Sequence, residues 1–171
     1  AAKHLARAMY TFIPTYFSGG DGSEANPYAI ATAEDLQELS TYVASNDSEH
    51  LPFRTAYYVQ ISDIDFAGAT HSSIGNSNDS SAPSYFCGKY NGNGYKIRNI
   101  KIANANSNKA HGFFGYLDGE AHIKNMTFEN VSIDAPTWNV GTLVGCVQSS
   151  SSAIIENCTV TGGAIVGNNT G

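Results

Sequence analysis

The sequence predicts an all-β protein, a right-handed parallel β-helix with a short N-terminal capping helix. Two observations lead to this prediction: a short phrase that recurs four times, and a polar surface built from small uncharged residues. Charged residues make up only 14% of the 171-residue chain, whereas ordinary domains contain about a quarter. Hydrophobic residues reach 42%, so the chain can bury a core. The length suits one domain.

The recurring phrase consists of an apolar residue, any residue, Asn or Asp, an apolar residue, any residue and a second apolar residue. The apolar residues of the phrase are thus its first, fourth and sixth, and its third position is occupied in the four copies by Asp63, Asn99, Asn125 and Asn157. The third residue interrupts the period-two alternation of a strand, which requires the backbone to turn a corner. Asn and Asp tolerate the left-handed conformation that a corner needs. The four residues are therefore predicted to stack in one column.

Stacked corners of this kind are typical of a parallel β-helix, whose coils lie about 4.8 Å apart. A single coil cannot bury its own apolar face, so the apolar positions of the phrase are predicted to form three inner columns. These columns are Ile61/Ile97/Ile123/Ile155, Ile64/Ile100/Met126/Cys158 and Phe66/Ile102/Phe128/Val160. The copies are unevenly spaced, which predicts a fixed core path with loops of variable length.

A second phrase precedes two of the copies, at residues 111–117 (HGFFGYL) and 141–147 (GTLVGCV). Its paired Gly115 and Gly145 indicate a bend or a close backbone approach. Together with the segments 57–65 and 90–95, this phrase resembles the GLUG repeat, named for its Gly-Leu-apolar-Gly core. The resemblance implies a bacterial surface protein. Such repeats occur in large surface proteins, including immunoglobulin-A-specific metallopeptidases, outside the protease domain.

The N-terminal end of the predicted stack carries the signals of a helix near residues 32–44. Thr32 is a suitable N-cap and Asp35 occupies the capping-box position. Leu36, Leu39 and Val43 form one apolar stripe. This helix is predicted to lie over the first coil, because an open stack exposes unpaired strands at its ends. Residues 1–18 are interpreted as a separate N-terminal segment that can include another short helix.

The C-terminal end shows no comparable signals. Residues 162–167 (GGAIVG) finish a coil, and residues 168–171 (NNTG) have the composition of a turn. We therefore expect that the β-helix domain, residues 19–171, continues as further repeats in a longer native chain, or that another chain covers this end.

The ionisable residues form no pattern typical of catalysis or metal binding, so no catalytic residue, metal or cofactor is predicted. Asp63 and Asp65 are candidates for calcium or acid–base chemistry, but a corner and an outward strand position explain them more simply. Cys87 with His111 or His122 could be a nucleophile and its base. A small buried Cys in the core is the stronger interpretation. Three cysteines allow one disulfide, which the sequence does not assign.

Aromatic residues are the candidates for a binding surface: Trp138, Tyr85 and Tyr90. Exposed aromatic rings can stack on sugars or anchor a protein partner, and loops carry function on repeat scaffolds. The alternative is that these rings pack loops onto the coil. The expected partner is a glycan or a host or cell-surface protein.

The net charge of -6 excludes nucleic acid as the main partner, and no apolar run approaches the roughly 20 residues of a membrane span. The preferred function is a non-catalytic binding or adhesion module of a secreted or cell-surface bacterial protein. Two alternatives stay open. One is a polysaccharide lyase or glycoside hydrolase of the pectate-lyase-like β-helix type, and the other is a structural stalk of a larger surface protein.

Overall fold

The computed structural model describes residues 15–75, 84–103, 110–135 and 139–167. These residues form an all-β fold with one α-helix and one short 3-10 helix. The elements are β1 (Tyr28–Ile30), α1 (Ala33–Ala44), the 3-10 helix Leu51–Arg54, β2 (Tyr57–Gln60), β3 (Ile64–Asp65), β4 (Lys89–Asn91), β5 (Lys96–Arg98), β6 (Lys101–Ala103), β7 (Ala110–His111), β8 (Phe114–Leu117), β9 (His122–Lys124), β10 (Thr127–Ala135), β11 (Asn139–Val140), β12 (Val144–Val147), β13 (Ile154–Glu156) and β14 (Thr159–Gly167).

Every strand pair within the described ranges is parallel. The first sheet has the order β1-β2-β4-β9-β13, and the second has the order β3-β5-β10-β14, with β6 also pairing with β10. Two smaller sheets pair β7 with β11 and β8 with β12. Tyr90 pairs with Ile123, and Ile123 pairs with Ile155. The chain therefore returns to each sheet about once every thirty residues, one strand further along. We call each such circuit of the chain a pass.

The core lies between the sheets and consists of the inward side chains of successive strands. Ile97, Ile100 and Ile102 are all buried, as the step of three in the recurring phrase predicts. Asn99, at the break in that phrase, has a left-handed backbone with φ of 53°. The prediction of a corner at this position is confirmed.

The prediction that the four corner residues share one column is wrong, because two separate ladders of side chains exist. In the first, Asn125 Nδ2 donates to Asn91 Oδ1 at 2.9 Å, and Asn157 Nδ2 donates to Asn125 Oδ1 at 3.4 Å. Asn125 and Asn157 are left-handed corners that follow strands of the first sheet, and Asn91 is the last residue of β4 in the same sheet. Asn125 and Asn157 are thus neighbours in one column, as predicted, but Asn99 is not part of it.

The second ladder follows strands of the second sheet. Asn99 Nδ2 donates to Asp65 Oδ1 at 2.9 Å, and Asn130 Nδ2 donates to Asn99 Oδ1 at 2.8 Å. Asp63 belongs to neither ladder. Its carboxylate instead accepts hydrogen bonds from the Lys96 amide at 2.9 Å and from the Arg98 guanidinium at 3.0 Å.

This error has a local cause. Left-handed asparagines occur at corners of both sheets, Asn125 and Asn157 beside the first and Asn99 and Asn130 beside the second, so both kinds of corner produce the same short phrase. The shared phrase therefore placed corners of the two sheets in one predicted column. The predicted columns change accordingly: Ile64 and Phe128, rather than Ile61 and Ile123, are the register partners of Ile97. Ile61 is 45% exposed.

Helix α1 confirms the predicted N-terminal cap. Thr32 Oγ1 accepts from the Asp35 amide at 3.1 Å, and the Asp35 carboxylate accepts from the Thr32 amide at 3.1 Å. Leu36, Leu39 and Val43 are fully buried. The short helix predicted for the N-terminal segment falls mainly on residues 1–14, which lie outside the described residues.

Two glycines of the second phrase lie at close backbone approaches, as predicted. A Cβ atom on Gly115 would lie 2.3 Å from the Gly75 carbonyl oxygen, and one on Gly145 would lie 2.7 Å from the His111 amide nitrogen. A larger residue at either position would force neighbouring passes of the chain apart. In the part of the chain that the structure describes, no helix has the length and apolar character to cross a membrane.

Candidate functional site

The outer face of the first sheet carries a groove with a volume of about 550 Å³. We call it the sheet groove. Its polar lining comes from the loop before β1 and from strands β2, β4 and β9, and includes Glu24, Tyr57, Lys89, Asn91, His122 and Lys124.

The period-two alternation of the strands produces this surface. Tyr58, Tyr90 and Ile123 point into the core, so their chain neighbours point outward. The parallel register then places Tyr57 beside Lys89 and Lys89 beside His122. This row crosses three adjacent strands on one face of the sheet.

A second outward row lies two residues further along the same strands. Val59 is beside Asn91, and Asn91 is beside Lys124. The two rows together offer an aromatic ring, an amide and two ammonium groups on one rigid surface. Such a mixture can bind a ligand by stacking and by directional hydrogen bonds.

Hydrogen bonds orient several of these side chains. Lys89 Nζ donates to the Glu120 carbonyl oxygen. His122 Nε2 lies 2.8 Å from a carboxylate oxygen of Glu156, on the next strand. Neither Lys89 nor Lys124 forms an ion pair with another described residue. Their charges are therefore available to a ligand.

Of the three predicted binding residues, only Tyr90 is among the described residues that line the groove. Tyr90 is 1% exposed, so the prediction that it offers an exposed ring is wrong: its strand position turns the ring into the core. Burial also raises the pKa of its hydroxyl. Tyr85 is half-buried, with its ring 5.6 Å from that of Tyr116. Trp138 lies outside the described residues.

The sequence analysis missed Tyr57, Lys89 and Lys124. The available signal was the alternation around the tyrosine pair of β2, where only one of two adjacent rings can face the core. Assigning inward and outward positions on three strands at once would have placed these residues on one surface. That assignment needs the register between strands, and the predicted columns placed residues of different sheets in one register.

The other predicted chemistry is not assembled within the described residues. Asp65 accepts hydrogen bonds from the Asn99 side chain and the Ala67 amide, and these bonds lower its pKa. Burial raises the pKa of the Cys87 thiol, which favours the protonated form. No group of three or more His, Cys, Asp or Glu residues in these ranges is placed to hold a metal ion. All three cysteines are free.

Comparison with known proteins gives distant relatives and a shared fold. No family model matches the sequence. Halomucin from Haloquadratum walsbyi is 30% identical over 151 residues, which cover 88% of this chain and 2% of halomucin. A protein named as a putative Gly-rich membrane protein, from Evansella cellulosilytica, is 28% identical over 148 residues, which cover 84% of this chain and 15% of that protein.

One solved structure is similar over most of the chain. It is the crystal structure of a putative immunoglobulin A1 protease from Bacteroides ovatus, with a TM-score of 0.64 and 24% sequence identity. The match covers 90% of this chain and 44% of the other. This similarity shows a common fold. The chain therefore spans a small part of its curated relatives and less than half of the solved protein.

Proposed function

We propose that this protein is a non-catalytic binding module of a secreted or cell-surface bacterial protein. Its scaffold is a right-handed parallel β-helix of the GLUG-repeat type. The sheet groove carries the proposal, because it gathers aromatic, amide and cationic side chains from neighbouring strands on one rigid face. Its volume of about 550 Å³ suits a few sugar units or a short peptide segment.

The β-helix scaffold is supported by the parallel register and by the two side-chain ladders. The Asn157–Asn125 and Asn130–Asn99 bonds each join equivalent corners of successive passes, as a solenoid requires. The resemblance of residues 111–117 and 141–147 to the GLUG core also supports it. A stack of this kind positions outward side chains at fixed intervals, which favours recognition of an extended ligand.

The location at the cell surface is supported by the names of the relatives. One is halomucin, and the other is named as a membrane protein. The low proportion of charged side chains, 14%, fits an extracellular surface made polar by Asn, Ser and Thr.

A polysaccharide lyase or hydrolase is the second candidate function, favoured by the cationic groups and the His122–Glu156 contact beside the groove. Such an enzyme needs a positioned acid or base at the scissile sugar. Fold alone does not carry that activity. A structural stalk, with the ligand site elsewhere in a longer chain, is the third.

Binding to an array of neutral, sialylated, sulfated and uronic-acid glycans, together with cell-surface proteins, tests the proposal. We expect binding that Tyr57→Ala weakens by about tenfold or more, as loss of a stacking aromatic anchor predicts. Tyr85→Ala is the matched control, because it removes a half-buried ring outside the groove and should leave binding unchanged.

Two results would overturn the proposal. Release of unsaturated products from uronic-acid polymers, followed by ultraviolet absorbance, would make the protein an enzyme. Absence of binding to every glycan and protein tested would favour the stalk.

A further inference from the structure

We infer that the ligand of the sheet groove is an anionic glycan, one whose sugars carry carboxylate or sulfate groups. This inference rests on the proposed binding function and specifies its substrate class. It comes from the distribution of positive charge over the molecule.

The protein is acidic, with a net charge of -6, and most cations described outside the groove have partners. Lys96 pairs with Glu129 at 2.7 Å, and Arg98 pairs with Asp63 at 3.0 Å. Carboxylates of the fold therefore neutralise these two cations.

Lys89 and Lys124 lie together in the groove, and neither has a carboxylate partner among the described residues, although Lys89 Nζ donates to the Glu120 carbonyl oxygen. Both are half-buried, so a ligand that binds there displaces water from around them and strengthens the electrostatic attraction. Glu24 lines the groove and is exposed to solvent, which screens its charge. A second carboxylate beside the groove, that of Glu156 on the strand next to Lys124, is directed to the His122 ring at 2.8 Å. The groove thus favours a negative ligand.

The spacing of the two ammonium groups suits neighbouring sugars. Lys89 is the register partner of His122, and Lys124 lies two residues beyond His122 on the same strand. With strands about 4.8 Å apart and a rise of about 3.3 Å per residue, the two lysine Cα atoms are about 8 Å apart. Flexible side chains of this spacing can contact two anionic groups of one oligosaccharide.

The remaining side chains favour a sugar over other anions. Tyr57 lies beside Lys89 and offers a ring face for stacking. Asn91 lies beside Lys124, and because its Oδ1 already accepts from Asn125 Nδ2 and the Asn93 amide, it offers its N–H donors to hydroxyl groups. Two lysines give too few phosphate contacts for a nucleic acid. The groove is lined by ten of the described residues, fewer than the roughly 20–30 residues that each side of a standard protein–protein interface contributes.

Calorimetric titration with dextran sulfate, polygalacturonate and neutral dextran tests this inference on the full chain. We expect binding of at least one anionic polymer, weaker binding at higher salt, and no binding of dextran. Lys89→Gln combined with Lys124→Gln should reduce the affinity by about tenfold or more, because charged hydrogen bonds are lost. Comparing the sulfated and carboxylated polymers identifies the preferred anion.

Two sets of variants control for structural effects. Lys96→Gln removes a cation of another sheet and should leave the affinity unchanged. Lys89→Arg combined with Lys124→Arg keeps both charges and should retain binding, while circular dichroism checks that every variant folds.

The outcomes distinguish a failure of the anionic ligand class from a failure of the proposed binding function. Binding of dextran that depends on Tyr57 but shows no preference for the anionic polymers would overturn the anionic class and leave the glycan-binding function standing. Binding of polyglutamate in place of every glycan would also overturn it, in favour of an acidic protein partner. Absence of binding to all four polymers, and to the arrayed glycans and proteins, would overturn both proposals.

Discussion

The apolar core is buried to different extents at the two ends of the stack of strands. At the N-terminal end, helix α1 covers the core, and its residues Leu36, Leu39 and Val43 are 0% exposed. At the C-terminal end, Ile155 and Ile165, on the last strands of the two large sheets, are 43% and 52% exposed. The core columns therefore continue to the last described pass, but a packed layer covers them at one end only.

Hydrogen bonds strengthen the contrast. Besides its capping box, α1 is attached to the following pass, because Gln37 Nε2 donates to the Thr70 carbonyl oxygen at 2.6 Å and Ser40 Oγ donates to that of Ser73 at 3.3 Å. Strands β13 and β14 each pair on one side only within the described residues. An edge of this kind can accept a further strand.

The largest difference is expected between two isoleucines that are register partners in β10 and β14. Ile133 is fully buried and Ile165 is 52% exposed. Ile133→Ala should lower the free energy of unfolding by about 2–5 kcal/mol, through lost burial and a cavity, whereas Ile165→Ala should cost less than about 1 kcal/mol. Chemical denaturation measures both values. If the two variants lost equal free energy of unfolding at low protein concentration, Ile165 would be buried in solution, and the proposed difference between the two ends would be contradicted.

The loss of stability at acidic pH should arise from a buried histidine in the interior of the stack, and not from its C-terminal end. The His71 ring is fully buried and stacks on Phe113 with centroids 5.0 Å apart, and burial lowers its pKa to about 3. Since the unfolded chain takes up this proton near pH 6.5 and the folded chain does not, stability is complete above that pH and falls as pH decreases toward 3. From pH 7 to pH 5 the loss should be about 2 kcal/mol.

Chemical denaturation at several pH values of the protein and of His71→Phe checks this effect. The variant removes the titrating group and keeps an aromatic ring beside Phe113, so its stability should depend less on pH over this range. The same pH dependence in both proteins would exclude His71 as its source.

The smallest effect is expected at the helix cap. Thr32→Ala removes the acceptor of the Asp35 amide and should cost about 1 kcal/mol, the usual value of an N-cap. Thr41→Ala, at an exposed position inside the same helix, is the control and should change stability by less than about 0.5 kcal/mol. Thermal unfolding of the two variants gives the comparison. If Thr41→Ala lowered stability as much as Thr32→Ala, the N-cap hydrogen bond would not be the source of the loss.

Local features of the fold could be predicted from the sequence. Helix α1 was predictable because its cap, its stripe and its end depend on residues within one segment. The left-handed corners at Asn99, Asn125 and Asn157 were predictable because few residues tolerate that conformation.

Features that depend on register could not be predicted in the same way. Asp63 was assigned to a corner because the two kinds of corner share one local phrase. Tyr90 was assigned to a binding surface because nothing nearby in sequence distinguishes the two faces of β4. The sheet groove requires β2, β4 and β9 to be aligned, and only their long-range pairing fixes this alignment.

Hydrogen exchange along the chain tests most directly the claim that the stack is covered at one end and open at the other. At low protein concentration, the Ser132 amide of β10, which donates to the Ile100 carbonyl oxygen at 2.9 Å, should exchange at least about 100-fold more slowly than the Thr159 amide of β14, which donates to that of Met126 at 2.8 Å, because the outermost strand opens without disturbing the core. Equal protection of β10 and β14 would contradict the account.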